Sequence, residues 1–343
     1  MLNQPTVERY SALCAKSKIL FERAQKVQPR GVSHDQWYVK PFPIYMTRAN
    51  GSHLWDVDGN EYVDYYGGHG GKMLGHAHPA VVEAVQRAIA TGTQYGAACD
   101  LAVEWAELIQ KLVPSAELVE FMSSGTEAVM YGIRLARAFT KRSKVVRFQY
   151  HFSGAYDAVT VGQKKPFAIP VSAGVLQASV QDTVVIPMND EAAMEEALKG
   201  RDVAVVITEG AGAGSGVVGI KPSFYQTMRE LTSRYGTLLM FDEVVTGFRY
   251  SPGGVQLAVG VTPDLTALGK GVTGVVPGAG ALAGRREVLN LLALGDEHWN
   301  RYQRVSHSGT FNANPLCAAA GIAYLKIIAT GEPTRIANER ARR

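Results

Sequence analysis

Apolar and polar positions repeat along this chain with two different periods, and the change from one to the other divides it. Residues 8–28 set Leu13, Ile19, Leu20, Phe21 and Ala24 among charged residues, the spacing of an amphipathic helix that stops near Pro29 and Gly31. The segment HLWDVDGNEYVDYY alternates about Asp58-Gly59-Asn60. Gly and Asn accept the positive φ of a hairpin turn, so residues 44–66 predict a small antiparallel sheet. A glycine-rich loop, GGHGGKMLGHAHP, is expected to line a cleft, and PAVVEAVQRAIATG after it reads as a helix with Pro79 near its start and Gly92 at its end. From residue 101, short apolar runs alternate with helical patterns, as in an α/β domain with a mostly parallel sheet. The predicted strands are 118–122, 144–148, 203–208, 237–242, 264–268 and 279–283. The helices between them include 126–139, 191–199, 222–235, 286–293 and 315–329, the third bracketed by Pro222 and Gly236.

Composition narrows the function classes. A net charge of +4 over 343 residues, with scattered cations, argues against nucleic acid as a partner. Cys14, Cys99 and Cys317 are odd in number, far apart and form no CxxC, which argues against a disulfide framework or a zinc ribbon and fits a reducing cytosol. No apolar run approaches the roughly 18 residues of a membrane span, and the N-terminus lacks a signal-peptide core. The expectation is a soluble, cytoplasmic protein. His69, His76 and His78 have no carboxylate or thiolate at ligand spacing, so they read as turn and loop histidines bonding the backbone, and no metal is expected.

The chemistry falls where strands end, the side on which open α/β sheets bind ligands. LLMFDEVV ends a continuous apolar run in Asp242 and Glu243, which as neighbours on a strand point to opposite faces. A buried carboxylate needs a positive partner, either a structural Arg such as Arg249 or a protonated ring nitrogen of a ligand. DLTALGKG sets Lys270 between glycines at another strand end, where partial desolvation lowers an amine's pKa and small neighbours admit a ligand. Such a carboxylate and such a lysine are the two protein groups that a pyridoxal cofactor most needs. In FMSSGTEAVMYGIRLARAF, Ser124, Gly125 and Thr126 open a helix whose N-terminus favours phosphate, although Ser and Thr cap helices generally. Phe152 can cover a flat heterocycle or pack in the core, and Glu209 ends a strand beside a glycine-rich loop with its role open. Thr310, in a small-residue turn before a helix, is a second candidate phosphate contact.

Together, LWDVDGNEYVDY, LGHAHP, SGTEA, IRLAR, FDEVVTGFR, LGKG and HSGTFNANPL, in that order from about Gly31 to Gly331, resemble the class III pyridoxal phosphate (PLP)-dependent aminotransferases. The likeness is greatest to the subgroup of glutamate-1-semialdehyde 2,1-aminomutase. The resemblance implies a fold-type I transferase, α/β, with a mostly parallel seven-stranded sheet flanked by helices. It divides the chain into an N-terminal helix and small sheet (1–66), a PLP-binding domain (67–315), and a linking helix with the start of an incomplete C-terminal domain (316–343). It implies that Lys270 forms the Schiff base and Asp242 partners the pyridine nitrogen. Val244 and Phe152 flank the ring, Glu209 lies in the cofactor cleft, and Ser124, Gly125 and Thr126 cradle the phosphate. Thr310 completes that cradle from the neighbouring subunit of a homodimer. The implied substrates are an amino acid or amine and a keto acid or aldehyde.

Three positions depart from the aminomutase pattern. Trp37 stands where it presents an Arg for a substrate carboxylate, Ser153 replaces a His near the cofactor, and Gly214 replaces an Asn. Transamination is therefore the first expectation, with a PLP isomerase (aminomutase or racemase) and a catalytically inactive paralogue as the other readings.

Overall fold

The hairpin expected at Asp58-Gly59-Asn60 joins the second and third strands of a three-stranded antiparallel sheet, β1 (Met46–Asn50), β2 (His53–Asp56) and β3 (Glu61–Val63), in the order β1-β2-β3. The structure, a computed structural model, describes residues 3–342. By contacts the chain forms two units, Met1–Gly68 with Leu74–Pro79, and His69–Met73 with Ala80–Arg343.

In the first unit, Asp56 closes the hairpin by accepting the N–H groups of Asp58 (2.9 Å) and Asn60 (2.8 Å) at Oδ1, and Gly59 takes a φ of 96°. Asp58 reaches further. Its carboxylate accepts the N–H of Lys16 (2.6 Å) and both the N–H (3.0 Å) and the hydroxyl (2.9 Å) of Ser17. This tertiary cap explains why the single helix expected over residues 8–28 is two, Gln4–Leu13 and Ala15–Ala24, parted at Cys14. His76 pairs its main chain with Gly51, and its Nε2 bonds Asp64 Oδ2 at 2.6 Å. Asp64 Oδ1 accepts the N–H groups of Tyr66 and Gly67, so one carboxylate ties both ends of the glycine-rich loop.

The second unit holds a seven-stranded sheet: β4 (Leu118–Met122), β5 (Lys144–Phe148), β6 (Thr183–Ile186), β7 (Val203–Glu209), β8 (Leu238–Asp242), β9 (Leu265–Leu268) and β10 (Gly280–Gly284). The order is β4-β10-β9-β8-β7-β5-β6, and only β10 runs against its neighbours. Every residue of β7 and β8 is buried, which is why these strands read as continuous apolar runs rather than alternating ones. The helix Pro222–Tyr235 begins and ends as its brackets require, with Gly236 left-handed at φ 64°. The helix expected at 286–293 stops at Leu289 and continues as a 3₁₀ turn, Asn290–Leu292. β6 escaped the apolar pattern because it is a four-residue edge strand, paired only with β5 and mostly half-buried.

Asp242 and Glu243 do separate to opposite sides. Glu243, 1% exposed, accepts the hydroxyl of Thr246 (2.7 Å) and the N–H groups of Val255 (3.0 Å) and Gln256 (3.1 Å), clamping the helix Gly254–Val259. Its role is structural. Glu243→Ala strands these buried donors, and we expect a loss of about 2–4 kcal/mol in denaturant unfolding of the cofactor-free protein. Unchanged stability would show that these bonds contribute nothing net.

Candidate active site

Five strand ends bring separated stretches of sequence to one cavity of about 340 Å³. After β4, Ser124 caps the helix Gly125–Thr140: its Oγ accepts the N–H of Glu127 (3.1 Å), while Glu127 accepts the N–H of Ser123 (2.6 Å). The N–H groups of Gly125 and Thr126 lie in the first turn, where an α-helix has no acceptor of its own and its dipole favours an anion. After β5, the main-chain N–H of Phe152 donates to Glu209 Oε1 (2.7 Å), and the N–H of Glu209, at the end of β7, donates to His151 Nδ1 (3.0 Å). The Phe152 ring is 60% exposed at the cavity. β8 delivers Asp242, whose Oδ1 accepts the N–H of Val244 (3.1 Å) and which also bonds the Ser153 side chain. β9 leads through Gly269 to Lys270.

Ser124, Gly125, Thr126, Phe152, Glu209, Asp242, Val244 and Lys270 all line this cavity. Thr310 does not. It is exposed, and its carbonyl accepts Gln94 Nε2 (3.0 Å), while Asn312 in the same loop bonds Ser123 Oγ (3.2 Å). Sequence reasoning assigned no role to Ser153 as a partner of Asp242, nor to the wall formed by Val275–Ala279. The SGA stretch after Phe152 carried a usable signal for the first. The wall carried none, since GVVPGAG reads as an ordinary loop. The glycine-rich loop reaches Lys270 at Gly71, where an added Cβ would stand 3.0 Å from Lys270 Cβ.

Lys270 itself has φ 37°, a region that non-glycine residues rarely enter and that strain marks as functional when the surroundings enforce it. Burial pushes its amine below the ordinary lysine range, against the pull of Asp242 and Glu209. Burial pushes Asp242 the other way, up to about 6, although the N–H of Val244, the Ser153 hydroxyl, Lys270 and Arg147 all favour the anion. Arg249, the candidate structural partner, is not among these groups. Arg147 is fully buried, its guanidinium donating to the carbonyls of Val159 and His151, and burial lowers it to about 10. Burial and Arg147 hold His151 down to about 3, so its imidazole is neutral.

This chemistry fits PLP. A buried carboxylate whose charge is incompletely met suits a protonated ring nitrogen, and a desolvated amine suits an aldehyde. Glycines let Val244 pack close to the helix start and the lysine turn: a Cβ at Gly125 would stand 2.6 Å from Val244 Cγ2, and one at Gly269 3.1 Å from Val244 Cγ1. Sheet and cavity together fit a PLP-dependent enzyme acting on amino and carbonyl compounds, and comparison with known proteins shows that class. The chain belongs to the class-III aminotransferase family, which it matches over residues 34–342. It is 42% identical to the glutamate-1-semialdehyde 2,1-aminomutase of Chloroherpeton thalassium over 330 residues, covering 92% of this chain and 74% of that one. Among solved structures it is similar to an omega-transaminase from Sphaerobacter thermophilus, with TM-score 0.84, 35% identity, and 91% and 72% of the two chains covered. A transaminase with PLP bound gives TM-score 0.84 and 34% identity over 92% of this chain and 74% of its own.

Proposed function

We propose that the chain is a transaminase, moving an amino group between an amino acid or amine and a keto acid or aldehyde. The observation that carries this reading is one cavity pairing the strained, desolvated Lys270 with the buried Asp242. The same pair serves an aminomutase, so the choice rests on the walls. Among the described lining residues Lys270 is the one cation, beside Asp242 and Glu209, and a donor's distal carboxylate finds no arginine there. Trp37, standing where the aminomutase pattern has its Arg, supports the same choice.

In this reading Lys270 Nζ holds the cofactor covalently, and Ser124, Gly125 and Thr126 bind its phosphate at the helix N-terminus. Val244 and Phe152, which both line the cavity, would flank its ring, and Glu209 fixes Phe152 through its main chain. Asp242, bonded by Ser153, would hold a proton on the ring nitrogen. Bound PLP supplies an electron sink conjugated to the substrate Cα. The Lys270 amine, which burial holds below the ordinary lysine range, would take and return the substrate proton at Nζ. The exposed Thr310 would complete the phosphate site of a partner subunit in a homodimer. A cytoplasmic location is part of the proposal; among the described residues no helix is long and apolar enough to cross a membrane.

The test loads the protein with PLP and supplies amines and amino acids with and without a keto acid. Keto product that depends on the acceptor is expected. Isomerised product without an acceptor would make it an aminomutase, scrambled stereochemistry without one a racemase, and a visible band that no amine moves an inactive relative.

A further inference from the structure

We infer that Trp105 is a positioning residue for Lys270, holding the turn that carries the lysine against the strand that carries the phosphate cradle. Trp105, on the helix Asp100–Leu112, has no exposed surface. Its ring stacks on Phe121 of β4, with centroids 4.1 Å apart and planes 18° from parallel. Three residues after Phe121 comes Ser124. Its indole N–H donates to the carbonyl of Val272 at 3.1 Å, inside the 3₁₀ turn Lys270–Thr273. One side chain therefore touches both the strand that leads to the cradle and the turn that carries the lysine, while lying outside the cavity.

The packing around this bond leaves it no freedom. A Cβ at Gly321, on the helix Pro315–Ile328, would stand 2.2 Å from the indole nitrogen and 2.8 Å from the Val272 carbonyl oxygen, so only glycine lets that helix close on the pair. Within the turn, the Val272 N–H donates to Gly269 (2.8 Å), the Val275 N–H to Lys270 (2.9 Å), and the Thr273 hydroxyl to the carbonyls of Val276 (2.7 Å) and Lys270 (3.4 Å); Trp105 adds a side-chain donor from a distant helix. A phenylalanine at 105 would supply most of the apolar contact. What tryptophan alone adds is a donor, and a buried donor is costly unless it has an acceptor. Here the acceptor sits two residues beyond a lysine held at φ 37°, a conformation that needs enforcement from its surroundings.

The inference rests on Lys270 being the residue that takes PLP. The experiment replaces Trp105 with Phe and, because Phe leaves a void, also with β-(3-benzothienyl)alanine, which keeps the bicyclic shape and lacks the N–H. Gly321→Ala, which retains tryptophan but pushes the indole off Val272, is a third variant. For each, capture of PLP at Lys270 is trapped with borohydride and timed by mass spectrometry, the pH midpoint of the visible band is titrated, and the melting temperature is recorded. The expected result is capture slowed about tenfold or more in the benzothienyl protein and in Gly321→Ala. The band's midpoint should shift even where melting is unchanged. A benzothienyl protein with wild-type capture and wild-type midpoint would reduce Trp105 to core packing and overturn the inference. No trapped Lys270 in the wild-type protein would overturn the site reading itself.

Discussion

Asp242→Asn should give a cofactor-free protein that is more stable than wild type at neutral pH and that turns over hardly at all. The two effects share one cause. Asp242 is 6% exposed, and burial lifts its carboxyl from an ordinary 3.8 to about 6. For an acid, a raised folded-state pKa means that the fold prefers the neutral form. The penalty for the charge is absent at pH below about 4, grows between about 4 and 6, and is fully present above that. Its size at neutral pH is about 3 kcal/mol. Arg147 loses a counter-charge in the variant, which holds the net gain below that figure. Denaturant unfolding at pH 7.5 should favour Asp242→Asn by about 1–3 kcal/mol, and the difference should vanish near pH 4. An advantage that is the same at both pH values would rule out ionisation as its source. In the loaded enzyme the neutral amide cannot hold the ring-nitrogen proton, and turnover should fall by about 10²–10³-fold, as when a preorganised electrostatic partner is removed.

Features written in contiguous residues were legible in the sequence. β7 and β8 are buried on both faces, so their apolar runs and the acids ending them stood out. Pro222 and Gly236 bound a helix through purely local conformational preferences. What was not legible depends on contacts between distant residues. Nothing near Cys14 says that its helix must break; Asp58, in a hairpin more than forty residues later, decides that. The lysine between glycines was visible, but its left-handed backbone was not, because its turn is met by groups distant in sequence, Trp105 and the helix containing Gly321. Ser153 stood out as a departure from a pattern, and only the three-dimensional fold turns it into the hydroxyl that bonds Asp242.

Lys270→Ala separates holding the cofactor from using it, and its expected outcome is a stable protein that binds PLP without reacting. Stability should not fall. Burial lowers the lysine's pKa, so the fold disfavours the ammonium at neutral pH, and removing the amine relieves that cost while depriving Asp242 of one attraction. Alanine inherits the strained φ of 37° but brings no charge into it. PLP should still enter, because the helix N-terminus at Ser124, Gly125 and Thr126 and the carboxylate of Asp242 do not depend on the amine. It should then be removable by dialysis and leave no borohydride-trapped adduct. Turnover should drop by about 10³-fold or more, since in the proposed mechanism the same nitrogen is both the point of attachment and the carrier of the Cα proton. Small added amines distinguish the two losses. A diffusible base cannot rebuild a covalent anchor, but it can take a proton from Cα in a cavity of about 340 Å³. Partial rescue that rises with the basicity of the added amine would therefore assign the proton to Lys270 Nζ. A variant that keeps its turnover without any added base would remove Lys270 from the mechanism.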